Sequence, residues 1–367
     1  MKILTQLLRL LVGITFVFSG FVKLVDPIGS MYKFQEYFGA DVLNLTFLDP
    51  YALEFSIVLI IAELMLGVML LVGYKSKFTS YSLLALISVF LFLTWYSAYY
   101  NKVTDCGCFG DAVKLTTWET FYKNVVLIFM ILWLVLKNKD INPLINKKIA
   151  QNLSVLSLVV SIAVVVYVLN YLPVIDFRPY AIGKNIEEGM RVPEDAPKAI
   201  YKDTWIYKVN GVDKQYTTAE KPWNIEGAVF VDRKSELIQE GFTPSIHDFT
   251  MEKDGVDLKS QLLQEDNLLL VVMYNLDLAS SKGLRKIKET TDNALKNGYK
   301  VYAMSASTED DYQKIKTQYN LNFDLLFCDE TTLKTIVRSN PGLVMLNNGT
   351  INGKWSWRSV SNIKFKK

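Results

Sequence analysis

Within its first 172 residues the chain carries five apolar stretches, 3–24, 53–72, 80–100, 121–136 and 149–172, set against the ~20 residues that a hydrocarbon core requires. They predict a polytopic membrane protein. The fourth stretch has Glu119, Lys123 and Asn124 at its entrance, and a re-entrant or buried helix is its alternative reading; four spans would invert everything downstream. Charge divides the chain at the same place. The first 172 positions hold 13 basic and 10 acidic residues, and the last 195 hold 27 of each. The net charge of +3 thus lies wholly in the apolar half, where it sets membrane orientation. The other half is neutral with mixed signs and no basic tract, which argues against a nucleic-acid partner. One histidine and three cysteines argue against a His-rich zinc or haem site and against a disulfide-dense scaffold.

Orientation follows from the short connections. Lys75 and Lys77, then Lys137, Lys139, Lys147 and Lys148, with Lys2 at the start, all fall on one side of five spans, which is read as cytoplasmic. The loops 26–52 and 101–117 and everything after Pro173 then face outward. The first stretch is long for a signal sequence and no small-residue cleavage pattern follows it, so an uncleaved anchor in a bacterial inner membrane is expected.

After Leu172 the text becomes that of a soluble protein. A Pro-punctuated connector (Pro173, Pro179, Pro193, Pro197) precedes a hairpin at 204–209 and 214–218 around Asn210-Gly211, and a further strand at 228–231. From Leu268 strands and helices alternate: strand 268–274, helix 281–297, strand 299–305, helix 308–319, strand 325–327, helix 330–338, and closing strands 343–346 and 351–355. That pattern predicts an α/β domain ending in a hairpin.

Few residues are equipped for chemistry. In the first span, Gly13, Ser19 and Gly20 permit close helix approach in lipid, while Arg9 and Lys23 are placed to snorkel toward opposite faces. Glu63 lies about halfway through the second span. A bare carboxylate there costs several kcal/mol, so it is protonated, paired or facing a polar cavity; it is either a proton relay or a structural interhelical contact. The sharpest signal is Thr104-Asp105-Cys106-Gly107-Cys108-Phe109-Gly110-Asp111 in the second outward loop, against the membrane. Cys106 and Cys108 can close a small, strained, labile disulfide and so cycle between dithiol and disulfide. The alternatives are a permanent structural bridge or two idle thiols. Two sulfurs are too few for a zinc site, and no metal is expected. Cys328 reads as a buried free thiol, His247 as a structural histidine in a strand, and Trp355, Trp357 and Phe365 as core, interface or lipid contacts.

The segment from Arg9 to Pro27, Glu63 with Gly67 and Gly73, and the Cys-Gly-Cys-Phe-Gly loop followed by Asn124 resemble the DoxX family and its methylamine-utilisation MauE branch, over residues 1–140. The resemblance implies a four-helix bundle with a cysteine pair at its outer face, working with a thioredoxin-like partner to form or maintain disulfides of an extracytoplasmic protein. Other DoxX relatives are linked to sulfur and quinone oxidation, so the fold does not fix the chemistry. Residues 244–367 resemble thioredoxin-like proteins, with Ser339-Asn340-Pro341-Gly342 where that family has its cis-proline loop; a cis Asn340-Pro341 bond is expected. Where the family has Cys-x-x-Cys, the chain reads Tyr274-Asn275-Leu276-Asp277-Leu278-Ala279-Ser280-Ser281, so this domain cannot run dithiol exchange at the usual place.

The expected architecture is a DoxX-like α-helical membrane bundle (1–140), a fifth tethering span (141–172), a β-rich connector (173–243) and a thioredoxin-like α/β domain (244–367). The expected function is a membrane thiol-disulfide oxidoreductase component. In it Cys106 and Cys108 are the redox pair, Glu63 handles protons, a quinone accepts electrons, and the soluble domain binds a client without reacting. The competing expectation is a non-catalytic scaffold that binds a periplasmic protein. A transporter ranks third, because only Glu63 suggests a pathway.

Overall fold

The computed structural model of the chain describes residues 1–103, 107, 109–143, 145–239 and 241–365. It contains five helices long and apolar enough to cross a membrane, followed by a β-rich region. The chain parts into two compact units, residues 1–184 with 250–367, and residues 185–249.

The first unit begins with α1 (Lys2–Val25), the short α2 (Pro27–Phe38), α3 (Ala52–Val72), α4 (Ser76–Tyr100), α5 (Thr117–Leu136) and α6 (Lys147–Asn170). Helix α2 falls in a segment read from sequence as loop. Its start is nonetheless chemically marked: the Asp26 carboxylate caps it by accepting from the Gly29 N–H, and Pro27 occupies the first turn, where its missing N–H does no harm. Helices α1 and α3 lie antiparallel with their backbones almost touching. A Cβ built on Gly20 would sit 2.9 Å from the Leu64 backbone nitrogen, so a larger residue there would force the helices apart. Val12 and Phe16 of α1, Leu66 and Leu70 of α3, Leu83 and Ile87 of α4, and Leu127 and Ile131 of α5 share one buried core. Helix α6 packs Val165 against a smaller cluster of Leu24, Ile60 and Leu64. Ile14, Val58, Phe92, Phe129 and Val159 remain exposed, as lipid-facing side chains must. At one end of the bundle Trp95, Tyr99 and Tyr100 of α4, Trp118 and Tyr122 of α5, Tyr167 of α6 and Tyr171 just after it form an exposed aromatic belt of the kind found at a membrane–water boundary.

The second unit holds α7 (Ile186–Met190) and a three-stranded antiparallel sheet in the order β2-β1-β3, from β1 (Ile200–Val209), β2 (Val212–Thr217) and β3 (Val229–Gln239). Asn210 and Gly211, at φ 54° and 80°, make the expected tight hairpin turn. Strand β3 runs well beyond the expected 228–231 and is exposed throughout. His247 is not in a strand. It stands exposed beside Asp248, while the neighbouring Ile246 anchors the chain by donating its N–H to Gly189.

The rest of the first unit is a seven-stranded sheet with helices between its strands. In chain order the elements are β4 (Glu252–Lys253), β5 (Val256–Asp257), α8 (Lys259–Leu262), β6 (Leu268–Val272), α9 (Ser281–Lys296), β7 (Lys300–Ser305), α10 (Glu309–Tyr319), β8 (Asp324–Phe327), α11 (Glu330–Ile336), β9 (Gly342–Asn347) and β10 (Thr350–Ser356). Across the sheet the order is β10-β9-β6-β7-β8-β4-β5. Strands β6, β7 and β8 run parallel and β9 pairs antiparallel with β6, placing Leu270 opposite Val344. Every residue of β6 is buried, which is why its sequence is an unbroken Leu-Leu-Leu-Val-Val rather than an alternation. Trp355, Trp357 and Phe365 pack on the core around Leu284, Ile287 and Val301, which settles their three-way ambiguity in favour of core. The Asn340–Pro341 bond is cis.

Candidate functional site

Glu63 is 2 % exposed and accepts a hydrogen bond from the Lys23 ammonium at 2.7 Å, between α3 and α1. The same ammonium reaches Ser19 Oγ at 3.2 Å and lies over the Phe90 ring at 5.1 Å. Lys23 therefore turns inward and does not snorkel. An opposite charge one helix away offsets the burial of both groups more effectively than a stretch toward the interface would. Arg9 departs from the same expectation. It is buried, and donates to the carbonyls of Leu70 (2.7 Å), Leu71 (2.8 Å) and Asn142 (2.9 Å), capping the C-terminus of α3, where a helix carries partial negative charge.

Cys106 and Cys108 lie outside the described residues. Gly107, between them, has φ +63°, a left-handed conformation that calls for glycine, and a Cβ there would lie 3.2 Å from Lys33 Cγ of α2. The adjoining Phe109 packs on Phe18 of α1 at 5.6 Å, with the Lys123 ammonium of α5 4.2 Å from its ring centre. Gly107 lines two cavities. One is a polar cleft of about 620 Å³ walled by the α1–α2 elbow (Asp26, Ser30, Lys33), residues of the connector after α6 (Asp176, Arg178) and α11 (Thr331, Lys334, Arg338). The other is a slot of about 50 Å³ among Phe34, Leu59, Ile60, Phe90 and Leu93, with Lys23 at its polar end. Gly107, Lys23, Ser30 and Lys33 belong to both, so Glu63's partner borders the polar cleft and the apolar slot together. A third, very small cavity joins Glu63 and Lys23 to Ser19, Lys123 and Asn124.

The sheet domain is fastened to the bundle at this cleft. Arg338, just ahead of the cis-proline loop, donates to Asp26 at 2.8–3.1 Å through two of its nitrogens. Burial would raise the Asp26 carboxyl, but the Arg338 and Arg178 guanidiniums and the Gly29 N–H hold it below its ordinary range. The Tyr32 and Tyr274 hydroxyls share a hydrogen bond, and Lys334 lies over both rings, at 4.9 and 5.8 Å. Behind them the Asp176 carboxylate accepts from Arg178 at 2.7 Å and from the Lys354 ammonium at 2.7 Å. Burial opposes its ionisation, yet those two cations bring it down to about 2.

At the edge where sequence reading notes the missing dithiol, Asn340 Nδ2 donates to the Asn275 carbonyl at 2.7 Å and Ser280 caps α9. Cys328 is fully buried, and burial pushes its thiol up to about 11, which leaves it unreactive near neutral pH. Among the described residues no group of His, Cys, Asp or Glu is placed to hold a metal ion.

The Lys23–Glu63 pair and the Asp26–Arg338 fastening were absent from the sequence reading. Glu63 alone pointed to the first, through the need of a buried acid for a partner. Asp26-Pro27, a helix-start signal, could have revealed α2.

Five helices long and apolar enough to cross a membrane, followed by a β-rich region, define a multi-pass membrane protein. Its first 137 residues match the family described as methylamine utilisation protein MauE. Protein TlpB of Flavobacterium psychrophilum is 27 % identical over 133 residues, covering 35 % of this chain and 35 % of that relative, so the match spans about a third of the relative's length. No solved structure matches.

Proposed function

We propose that the protein is the membrane component of an extracytoplasmic thiol-disulfide redox system, with Cys106 and Cys108 as its redox pair and Glu63 as its proton-handling group. The observation that carries the reading is the position of Gly107, which borders both the polar cleft and the slot above Lys23 and Glu63. In this reading a client dithiol attacks the Cys106–Cys108 disulfide, passes through a mixed disulfide, and leaves as a disulfide while the pair becomes a dithiol. Reoxidation hands two electrons and two protons to a membrane quinone. The slot is not its seat: an apolar cavity that takes up benzene measures about 150 Å³, three times this one, so the quinone is the reaction's co-substrate and is given no site.

The sheet domain is read as thioredoxin-like. Support comes from parallel β6, β7 and β8 beside antiparallel β9; with no cysteine at 274–281 it binds without reacting. Domain limits of 1–140, 141–172, 173–243 and 244–367 accompany this reading. The bundle is assigned to a bacterial inner membrane with the lysine-bearing loops at Lys75 and Lys139 in the cytoplasm and the sheet domain in the periplasm.

The deciding measurement is trapping of the Cys106 and Cys108 thiols in cells with and without quinone supply. A pair that shifts toward dithiol when quinone is withdrawn supports the assignment. A pair frozen in one state, with Cys106→Ser silent, would falsify it and favour the scaffold alternative, in which deleting 244–367 releases a co-purifying protein. Tags at Lys139 and at the C-terminus should report opposite sides of the membrane.

A further inference from the structure

The three-stranded sheet of the second unit hides very little of itself. Of all the residues in β1, β2 and β3 only Tyr207 is buried, and β3 is exposed along its whole length. A small sheet that buries so little is marginal by itself, and the free N–H and C=O groups of an edge strand are a template for one more strand. Strand β3 is such an edge, since the order is β2-β1-β3. The Arg233 N–H is met by the Asp232 carboxylate at 2.8 Å, a side chain standing where a neighbouring strand's carbonyl would be. In its ladder with β1 the strand skips Val231 and Ile238, so two bulges frame a regular run from Asp232 to Leu237. Apolar residues flank that run, Val229 and Phe230 before it and Ile238 after it, each more than half exposed.

The charges inside the run decide what can pair with it. Two identical strands meet antiparallel about a two-fold axis, and directly opposite residues share one hydrogen-bonding type, so the axis passes through a residue. An axis at Asp232, Arg233, Lys234 or Glu236 sets that charge against its own copy, which repels. An axis at Ser235 does the reverse. Lys234 then falls opposite Glu236 of the second copy, twice over by symmetry, and Arg233 falls opposite Leu237, where its methylene stem packs on an apolar neighbour. Among the described residues neither Lys234 nor Glu236 has an ion-pair partner within the chain, so both are free to form these pairs. An unrelated strand meets a central lysine and two bulges, the usual defences of an edge, whereas the chain's own strand meets complementary charges.

We propose that β3 pairs antiparallel with β3 of a second copy of this chain, about a two-fold axis at Ser235, so that two three-stranded sheets become one continuous sheet. Pairing over 233–237 buries less than the ~1,000 Å² expected of a stable soluble interface, so the contact belongs to chains already held in one bilayer, where confinement raises their effective concentration. It requires nothing of the redox reading.

The test uses the full chain in proteoliposomes treated with oxidised glutathione. Dimers are read on non-reducing gels against the parent chain, whose native cysteines set the background. Ser235→Cys puts the two introduced thiols on opposing residues of an antiparallel pair, with Cα atoms ~4.5–5.5 Å apart and within disulfide reach. Val231→Cys, which leaves every charge in place, holds its two thiols more than ~20 Å apart in the same pairing. The expected dimer yield for Ser235→Cys is about tenfold above that for Val231→Cys, and it falls by a similar factor when the protein is diluted in micelles. Lys234→Glu added to Ser235→Cys should cut the yield about tenfold by setting like charges opposite each other twice, and Glu236→Lys added to both should restore it, because the exchanged charges are again complementary. Equal yields from Ser235→Cys and Val231→Cys overturn the proposal. A Ser235→Cys dimer that ignores Lys234→Glu, or is not recovered by the exchange, overturns the axis at Ser235 chosen by charge. Cross-linking of Ser235→Cys to a different protein in native membranes, in place of the dimer, overturns the second copy as occupant of this edge.

Discussion

Two ion pairs that begin three positions apart on the chain, Lys23–Glu63 at 2.7 Å and Arg338–Asp26 at 2.8 Å, look alike in geometry and differ in what surrounds them. The first is closed between α1 and α3, with Ser19 as a further polar contact of the ammonium. The second joins the elbow after α1 to the sheet domain, and each member has other partners: Asp26 accepts from Gly29 N–H, and Arg338 donates to the Lys334 carbonyl at 2.6 Å. Breaking the first therefore takes the countercharge from an ammonium buried between helices, whereas breaking the second leaves groups nearer the polar cleft that keep part of their hydrogen bonding. Environment, not contact distance, sets what each pair contributes.

Glu63→Ala tests the difference at its largest. It should destabilise the detergent-solubilised bundle by about 3–5 kcal/mol, because Lys23 loses its countercharge, whereas the double change Lys23→Met with Glu63→Leu should recover most of the loss. A single variant as stable as the parent in thermal unfolding would remove the distinction drawn here. Leu270→Ala, in the fully buried β6, should cost about 2–5 kcal/mol in the sheet domain alone. Two separate unfolding steps, only the sheet-domain step moving, are expected by calorimetry.

Acid provides a third probe. Asp176 ionises at about 2 in the folded chain against about 3.9 when unfolded, so its contribution is fully present above pH 4 and is lost as pH falls toward 2. Asp26 is shifted in the same direction and adds to the effect. Together they should weaken the attachment of the sheet domain by about 2 kcal/mol, read as protease cleavage near the connector that rises between pH 4 and pH 2.5 while the bundle stays folded. Cleavage that is constant over that interval would show that these carboxylates do not hold the attachment. The smallest effect is expected for Cys328→Ala, about 1 kcal/mol from lost packing, with the trapped redox state of Cys106 and Cys108 unchanged.

The spans were legible because lipid demands long apolar helices, and the Asn210-Gly211 hairpin because its turn chemistry is local. The same local reasoning sent Lys23 toward the interface and missed its true position. Its partner lies 40 positions away, and only the antiparallel register of α1 on α3, set by the contact of Gly20 with Leu64, brings them together. The cleft was illegible for a related reason. Its walls come from α2, the connector and α11, and nothing in the composition of any one of them announces the other two.

The fastening of Arg338 to Asp26 spans 312 positions, and this separation orders the protein's birth. All five spans leave the ribosome before Arg338 is made. During that interval the elbow of α1 and α2 waits with its carboxylate unclaimed, and the cleft has no α11 wall. A chain interrupted before α11 would still insert its bundle in the bilayer but would display an unfinished cleft, which is completed only on synthesis of its most distant wall.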